Sequence, residues 1–213
     1  MKTSLRAFAL ALCATILSLA PAGCGHDDDG GGGGGDFGDN NPNLVVCLGD
    51  SITQGYGSEG APYPSRLATY SGNTVLNYAA GGVEASHGAK AIGSALARKP
   101  GYVCILYGAN DCIHGTSAAT TLGNLRRIVQ ACKANKTRPL IATPTPMRAP
   151  HFGQSARILR LTTGIRAMAK EEGVPCIDLN AAFGDGEGLL APDGLHLTDA
   201  GNDLIARKFN SKL

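Results

Sequence analysis

Five short apolar runs, separated by longer segments of helical periodicity, constrain the fold of this chain more than any other feature. The runs are rich in β-branched and apolar residues and are bounded by glycine, proline or polar residues, which is typical of buried strands. They span Leu44–Leu48, Thr74–Asn77, Tyr102–Tyr107, Leu140–Thr143 and Pro175–Leu179. Such alternation predicts an α/β fold: a three-layer α/β/α sandwich around a five-stranded parallel sheet.

The intervening segments carry apolar residues at helical spacing. Helices are predicted over Ser86–Arg98, Thr116–Asn135 and Gln154–Glu172, and a last helix begins near Thr198, a residue suited to an N-cap. These apolar stripes are sufficient for a core and need no other explanation.

Residues 1–24 resemble a signal peptide. Lys2 and Arg6 precede an apolar run over 7–20 that is shorter than a membrane span needs, although a short membrane anchor is the alternative. Residues 20–22, Ala-Pro-Ala, suit ordinary cleavage, whereas 22–24, Ala-Gly-Cys, resemble the end of a lipobox in which Pro21 replaces the preferred Leu. We therefore expect export from a bacterial cytoplasm, with the chain in the periplasm, secreted, or held at the outer membrane as a lipoprotein through Cys24.

Residues 25–42 are rich in aspartate and glycine, with three consecutive aspartates at 27–29 and six glycines at 30–35. A segment of this composition buries too little apolar area to offset its ordering entropy, so it is predicted to be a flexible tether. It lacks the residue spacing of a calcium loop. Residues 43–213 then form one domain of ordinary size.

Charge and cysteine content restrict the function of this domain. Basic residues exceed acidic ones only mildly, are not clustered, and are accompanied by few aromatics, so nucleic-acid binding is not indicated. The domain has five cysteines, Cys47, Cys104, Cys112, Cys132 and Cys176. Disulfides are permitted outside the cytoplasm, but three of these cysteines lie in strand-like runs, which favours buried free thiols.

Polar residues follow the predicted strand ends. Ser51 follows the first strand, Gly82 the second and Asn110 the third, while Asp193 and His196 precede the last helix. In a parallel sheet these positions converge on one edge. Acyl transfer needs a nucleophile, a base, a group that orients the base, and donors for an oxyanion. Ser51, His196 and Asp193 suit the first three roles, and the Ser51 N–H, the Gly82 N–H and the Asn110 amide suit the last.

Each of these features alone is ordinary, since Ser, Asn and Gly are common in caps and turns.

Other residues near these motifs also need an interpretation. His151 is a rival base but lacks a neighbouring carboxylate, and His114 is placed to line the site. Asp50 is expected to fix the turn at Ser51. The segment around Ser51 is not the G-x-S-x-G nucleophile elbow of α/β-hydrolases, because Thr53 stands where the second glycine would be.

Taken together, the motifs resemble the SGNH, or GDSL-type, esterase and lipase family. The blocks are Gly-Asp-Ser-Ile-Thr at 49–53, Asn77 to Gly82, Gly-Ala-Asn-Asp at 108–111, and Asp-Gly-Leu-His at 193–196. The residues Tyr-Pro-Ser-Arg-Leu at 63–67 are similar to the compact thioesterase, lysophospholipase and arylesterase branch. The resemblance implies a flavodoxin-like strand order of 2-1-3-4-5, a catalytic Ser51, Asp193 and His196, an oxyanion hole of Ser51, Gly82 and Asn110, and no metal or cofactor.

The segment after the fourth strand departs from that branch. It is rich in proline from Thr143 to Phe152. Met147 and Phe152 are candidates for an acyl or aryl pocket, and Arg148 for contact with a negative group. A rigid proline-rich loop is the alternative.

The sequence thus predicts a secreted or lipid-anchored serine esterase that acts as a monomer on a small-molecule ester. Its substrates would be acyl or aryl esters, with thioesters and lysophospholipids as further possibilities. Two alternatives stay open: a carbohydrate acetyl esterase on the same scaffold, and a non-catalytic cell-surface binding lipoprotein.

Overall fold

The computed structural model describes residues 36–213 as an α/β domain built on one sheet. Its five strands are β1 (Asn41–Gly49), β2 (Thr74–Asn77), β3 (Pro100–Leu106), β4 (Arg138–Ala142) and β5 (Cys176–Ile177). All pair in parallel, in the order β2-β1-β3-β4-β5. The predicted sandwich and strand order are confirmed.

The two central strands explain why the apolar runs are continuous rather than alternating. β1 pairs with both β2 and β3, so that Val45 lies between Val75 and Tyr102. Residues 45–48 are each 0% exposed. A parallel strand covered by helices on both faces has no solvent side, which requires apolar residues at every position.

Within residues 36–213, eight α-helices accompany the sheet. They are α1 (Ser51–Gln54), α2 (Tyr63–Ser71), α3 (Ala85–Leu96), α4 (Ala109–His114), α5 (Ala118–Ala134), α6 (Ser155–Glu172), α7 (Leu179–Phe183) and α8 (Asp199–Asn210). α3, α5 and α6 pack side by side, and α2 packs against α8, where Tyr63 stacks on Phe209 with ring centroids 5.7 Å apart. Within residues 36–213, no helix combines the length and apolarity needed to cross a bilayer.

The four predicted helices are present as α3, α5, α6 and α8, and Thr198 caps α8 by accepting a hydrogen bond from Gly201 N. Helix α2 was not predicted, although Pro64 in its first turn and Gly72 at its C-cap are helix signals. The predicted fifth strand is too long at its end, because Asp178 caps α7 and Leu179 is helical.

The domain begins before residue 43. β1 starts at Asn41, and Phe37 packs on Tyr102 with ring centroids 5.4 Å apart, while the Arg138 guanidinium lies 4.6 Å from the Phe37 centroid. Asp36 forms an ion pair with Lys136. Residues 36–42 are therefore part of the folded domain. The rest of the predicted tether, and the predicted signal with Cys24, lie outside the described residues.

All five cysteines of the domain are free thiols. Four are buried and Cys176 is half-buried. Cys47 and Cys104 are register partners on β1 and β3, where burial raises the pKa of the Cys104 thiol. These thiols act as small apolar core side chains, as predicted for those in strands.

Candidate active site

Ser51 lies at the carboxyl end of β1, as the first residue of the short helix α1. Asp50 caps this helix, because its Oδ1 accepts a hydrogen bond from Ile52 N at 3.0 Å. Gly55, in the left-handed conformation, ends the helix after one turn. The predicted role of Asp50 in fixing this turn agrees with the geometry, and Ser51 remains 9% exposed at the sheet edge.

A continuous chain of hydrogen bonds joins Ser51 to Asp193. Ser51 Oγ lies 2.9 Å from His196 Nε2, and His196 Nδ1 lies 2.6 Å from Asp193 Oδ2. The residues come from opposite ends of the domain sequence. The distances match those of a nucleophile, a base and the group that orients the base.

The Asp193 carboxylate is held by the backbone of its own turn as well. Its Oδ1 accepts hydrogen bonds from Leu195 N at 3.0 Å and from His196 N at 2.9 Å. Burial acts to raise the pKa of Asp193, but the hydrogen bonds from the His196 ring and from the two amides outweigh it, and the pKa is lowered. Asp193 is therefore an ionised acceptor beside the imidazole at neutral pH.

The loop after β4 fixes the turn that carries His196. Arg148 N donates a hydrogen bond to Gly194 O at 2.8 Å. Gly194 has φ of +72°, and a Cβ built on it would lie 2.4 Å from the Ala149 carbonyl oxygen. Only glycine allows this close approach of the two backbones.

Three donors lie at the same edge of the sheet. A Cβ built on Gly81 would lie 4.0 Å from the Ser51 Cβ, so the Gly81-Gly82 turn adjoins the serine. Among the described residues, neither the Ser51 nor the Gly82 amide donates a hydrogen bond. Gly82 adopts φ of +72°, which a residue with a side chain rarely tolerates. Asn110 Nδ2 donates to Val83 O at 3.0 Å, which leaves its second N–H free.

Two buried carboxylates, Asp50 and Asp111, accept hydrogen bonds from the segments around Ser51. Asp111 accepts hydrogen bonds from Ala85 N at 3.1 Å and Thr121 Oγ1 at 2.9 Å, and so joins three helices. Burial raises the pKa of Asp50 to about 7; the Ile52 amide opposes this rise and the Asp111 carboxylate adds to it. Both carboxylates stabilise the surrounding backbone through these hydrogen bonds, and neither forms a hydrogen bond with Ser51 Oγ.

Tyr56 is a site residue that the sequence analysis missed. Its ring centroid lies 4.6 Å from that of His196, with the rings tilted by 49°. The side chain is 64% exposed. The only sequence signal is an aromatic residue directly after the Gln54-Gly55 end of a one-turn helix, which does not distinguish a site residue from a surface one.

The predicted pocket residues of the loop after β4 do not lie together. Arg148 and Phe152 line an open surface groove with Pro192 and Gly194, beside the turn that carries His196. Met147 requires a correction: it is 4% exposed and belongs to the hydrophobic core, because its side chain points inward from the loop.

The two other histidines are placed differently from His196. His114 ends α4, and its Nδ1 lies 3.0 Å from Glu84 Oε1, so it joins α4 to the start of α3 rather than the groove. His151 begins a short 3₁₀ helix over His151–Gln154, and its side chain has no hydrogen bond to Ser51. Within residues 36–213, no three His, Cys, Asp or Glu side chains are grouped as metal ligands.

A three-layer α/β/α fold with a Ser–His–Asp chain at the carboxyl edge of its parallel sheet defines a class of hydrolases. A family profile assigns the chain within that class: residues 47–204 match the GDSL-like lipase/acylhydrolase family. The chain belongs to this family and is a hydrolase that acts on ester bonds. The predicted family is confirmed.

Solved structures agree with this assignment. A G-D-S-L family protein from Desulfitobacterium hafniense DCB-2 is 25% identical with a TM-score of 0.72, covering 80% of this chain and 99% of that one. The lipase/acylhydrolase from Enterococcus faecalis is 25% identical with a TM-score of 0.70, covering 79% of this chain and 94% of that one. The acetyl xylan esterase AlAXEase is 23% identical with a TM-score of 0.70, covering 80% and 99%, and shows the fold alone. Comparison with curated proteins gave no match.

Proposed function

We propose that this chain is a serine esterase that hydrolyses carboxylic esters through an acyl-serine intermediate. One observation carries the proposal: the unbroken contact chain of 2.9 Å from Ser51 Oγ to His196 Nε2 and 2.6 Å from His196 Nδ1 to Asp193 Oδ2. This is the contact pattern that makes a hydroxyl nucleophilic near neutral pH.

In the acylation step, Ser51 Oγ forms a bond to the ester carbonyl carbon while its proton passes to His196 Nε2. Asp193 stabilises the imidazolium that results and keeps Nδ1 protonated. The tetrahedral intermediate then expels the alcohol oxygen, which takes the proton from Nε2. Water attacks the acyl-serine with His196 as base, and the carboxylic acid and free Ser51 are the products.

The developing negative charge on the carbonyl oxygen needs donors that are already aligned. The Ser51 N–H, the Gly82 N–H and the second Asn110 N–H are available, because none of the three donates to another described group. Removing one such donor typically costs about 3–4 kcal/mol of transition-state stabilisation.

The test is hydrolysis of p-nitrophenyl acetate, butyrate, octanoate and palmitate by the full chain and by Ser51→Ala, with an active-site-directed fluorophosphonate as covalent probe. Ser94→Ala is the matched control, since Ser94 is exposed on α3, away from the site. We expect turnover and labelling in the parent and the control, and neither in Ser51→Ala. Equal turnover by folded Ser51→Ala would refute the mechanism.

The substrate class is a second question. The acyl-length optimum separates a lipid-type substrate, including lysophospholipids and long-chain thioesters, from a small acyl group such as acetate. A carbohydrate acetyl esterase is the second candidate, favoured by the exposed Tyr56 ring beside His196 and by the acetyl xylan esterases among the similar folds. Absence of turnover on every ester, acetylated xylan included, would favour a binding lipoprotein.

We further propose export from a bacterial cytoplasm, with Cys24 as the lipid attachment site. The basic residues Lys2 and Arg6, the apolar run and the Ala-Gly-Cys sequence support this. Mass spectrometry of the mature N-terminus distinguishes a diacylglyceryl-cysteine from cleavage that leaves Cys24 unmodified or removes it.

A further inference from the structure

Tyr56 presents an aromatic ring to solvent directly beside the candidate base. One side of the ring packs against the His196 imidazole at 4.6 Å, yet the side chain is 64% exposed. The backbone at Tyr56 is held by a turn and a hydrogen bond. Gly55 turns the chain, and Tyr56 N donates a hydrogen bond to Ser51 O at 3.0 Å, which fixes Tyr56 to the backbone of the nucleophile.

The Tyr56 ring is not a core side chain, since it is 64% exposed. Among residues 36–213, the Tyr56 hydroxyl makes no hydrogen bond, and the only aromatic neighbour of the ring is His196. An exposed aromatic face next to reacting groups is a typical binding surface, because it buries much area at small entropic cost.

The proposed reaction determines which part of an ester would meet this ring. The carbonyl oxygen must point to the donors at Gly82 and Asn110. The leaving alcohol oxygen must lie within hydrogen-bond reach of His196 Nε2, since that atom returns the proton to it. The alcohol part of the ester therefore lies next to His196, whose imidazole is the ring that Tyr56 contacts at 4.6 Å between centroids.

We propose that the exposed face of Tyr56 is the subsite for the alcohol part of the substrate, and that it selects alcohols in which the ester oxygen is carried by a six-membered ring with one apolar face. The C–H face of a pyranose and the face of a phenol share the shape and apolar character that stack on an aromatic side chain. This inference rests on the proposed esterase function and adds its specificity for the alcohol.

The experiment holds the acyl group constant as acetate and varies the alcohol. One pair compares a 2-O-acetylated methyl xylopyranoside with glycerol monoacetate, which is acyclic and has a similar leaving group. A second pair compares phenyl acetate with the acetate of an acyclic fluorinated alcohol of similar acidity. For each pair, the ratio of kcat/KM for ring over chain is measured in the parent, in Tyr56→Leu and in Tyr56→Phe.

We expect Tyr56→Leu, which keeps apolar bulk but removes the aromatic face, to lower the ring-over-chain ratio by roughly tenfold, mainly through KM. Tyr56→Phe keeps the face and should retain the ratio. The relative preference along the p-nitrophenyl acyl series should be the same in Tyr56→Leu as in the parent. The pair whose ratio falls identifies the source of the ring, sugar or phenol.

Three results would overturn the proposal. Tyr56→Leu could slow ring and chain esters equally, which would assign the residue to support of His196 alone. It could change acyl preference instead, or change nothing. Each differs from failure of the esterase proposal itself, in which Ser51→Ala retains the parent activity.

Discussion

Replacing Asp50 by Asn should remove a pH dependence of stability that arises from burial of the Asp50 carboxyl group. The Asp50 side chain is 1% exposed and caps the helix that begins with Ser51. Burial raises its pKa from 3.8 to about 7. Asn keeps the Oδ1 acceptor for Ile52 N but does not titrate, so the cap is retained while the charge is lost.

The sign follows from proton linkage. A carboxyl with a raised folded-state pKa holds its proton more tightly in the folded than in the unfolded chain. Its stabilising contribution is complete below about pH 3.8, falls as pH rises, and is lost above about pH 7. Each pH unit in that window corresponds to about 1.4 kcal/mol, so Asp50 should lower the free energy of unfolding by about 3 kcal/mol between pH 5 and pH 8.

The measurement is urea unfolding of the parent and Asp50→Asn at pH 5 and pH 8. The difference between the two proteins cancels the contribution of titrating groups that do not interact with Asp50. Between pH 5 and pH 8, we expect the free energy of unfolding to fall by about 3 kcal/mol more in the parent than in the variant. The exposed Asp39→Asn is the control and should behave like the parent. Parallel pH profiles of the parent and Asp50→Asn would refute the assigned effect of burial.

Three further predictions concern the site and the start of the domain. Asn110→Ala should lower kcat by about 10²–10³-fold with little change in KM, measured on p-nitrophenyl esters, because it removes a proposed oxyanion donor; an unchanged kcat would exclude that role. Gly194→Ala should lower both kcat and thermal stability, since its Cβ would lie 2.4 Å from the Ala149 carbonyl oxygen, whereas Gly93→Ala, with open space around it in a helix, should raise stability by about 0.5–1 kcal/mol. Phe37→Ala should lower the free energy of unfolding by about 1–3 kcal/mol without changing kcat, because the ring packs at the amino-terminal end of the sheet, away from Ser51; an altered kcat in the folded variant would contradict that separation.

Local patterns were sufficient for the architecture. The run from Val45 to Leu48 must be buried on both sides, and the stripe that includes Ile158 and Ile165 must face a core, whatever the details of packing. The alternation of such segments restricts the fold to a parallel sheet. Predictions were less accurate where an element is short, as at Tyr63–Ser71 and at Leu179–Phe183, because a few residues carry little periodic signal.

For the candidate site too, residues in short motifs were predicted, whereas the positions of loop residues were harder to predict. Ser51, His196 and Asp193 were found from strand ends and short motifs, and Asp193 lies close enough in sequence to reach the His196 ring on one turn. Which loop residues lie at the site was predictable only in part, since Arg148 and Phe152 line the groove as expected. Met147 was expected at the site and Tyr56 was not, yet Met147 is in the core and Tyr56 is beside His196.

The sequence by itself determined the fold class, the family and the residue types at the strand ends, since these depend on periodicity and on contiguous motifs. Only the tertiary structure decided the 2.9 Å contact between Ser51 and His196, the approach of Ala149 to Gly194, and the contact of the Tyr56 ring with His196. Such contacts join residues far apart in the chain, so they depend on the register and twist of the sheet and on loop backbone angles, which no local pattern encodes.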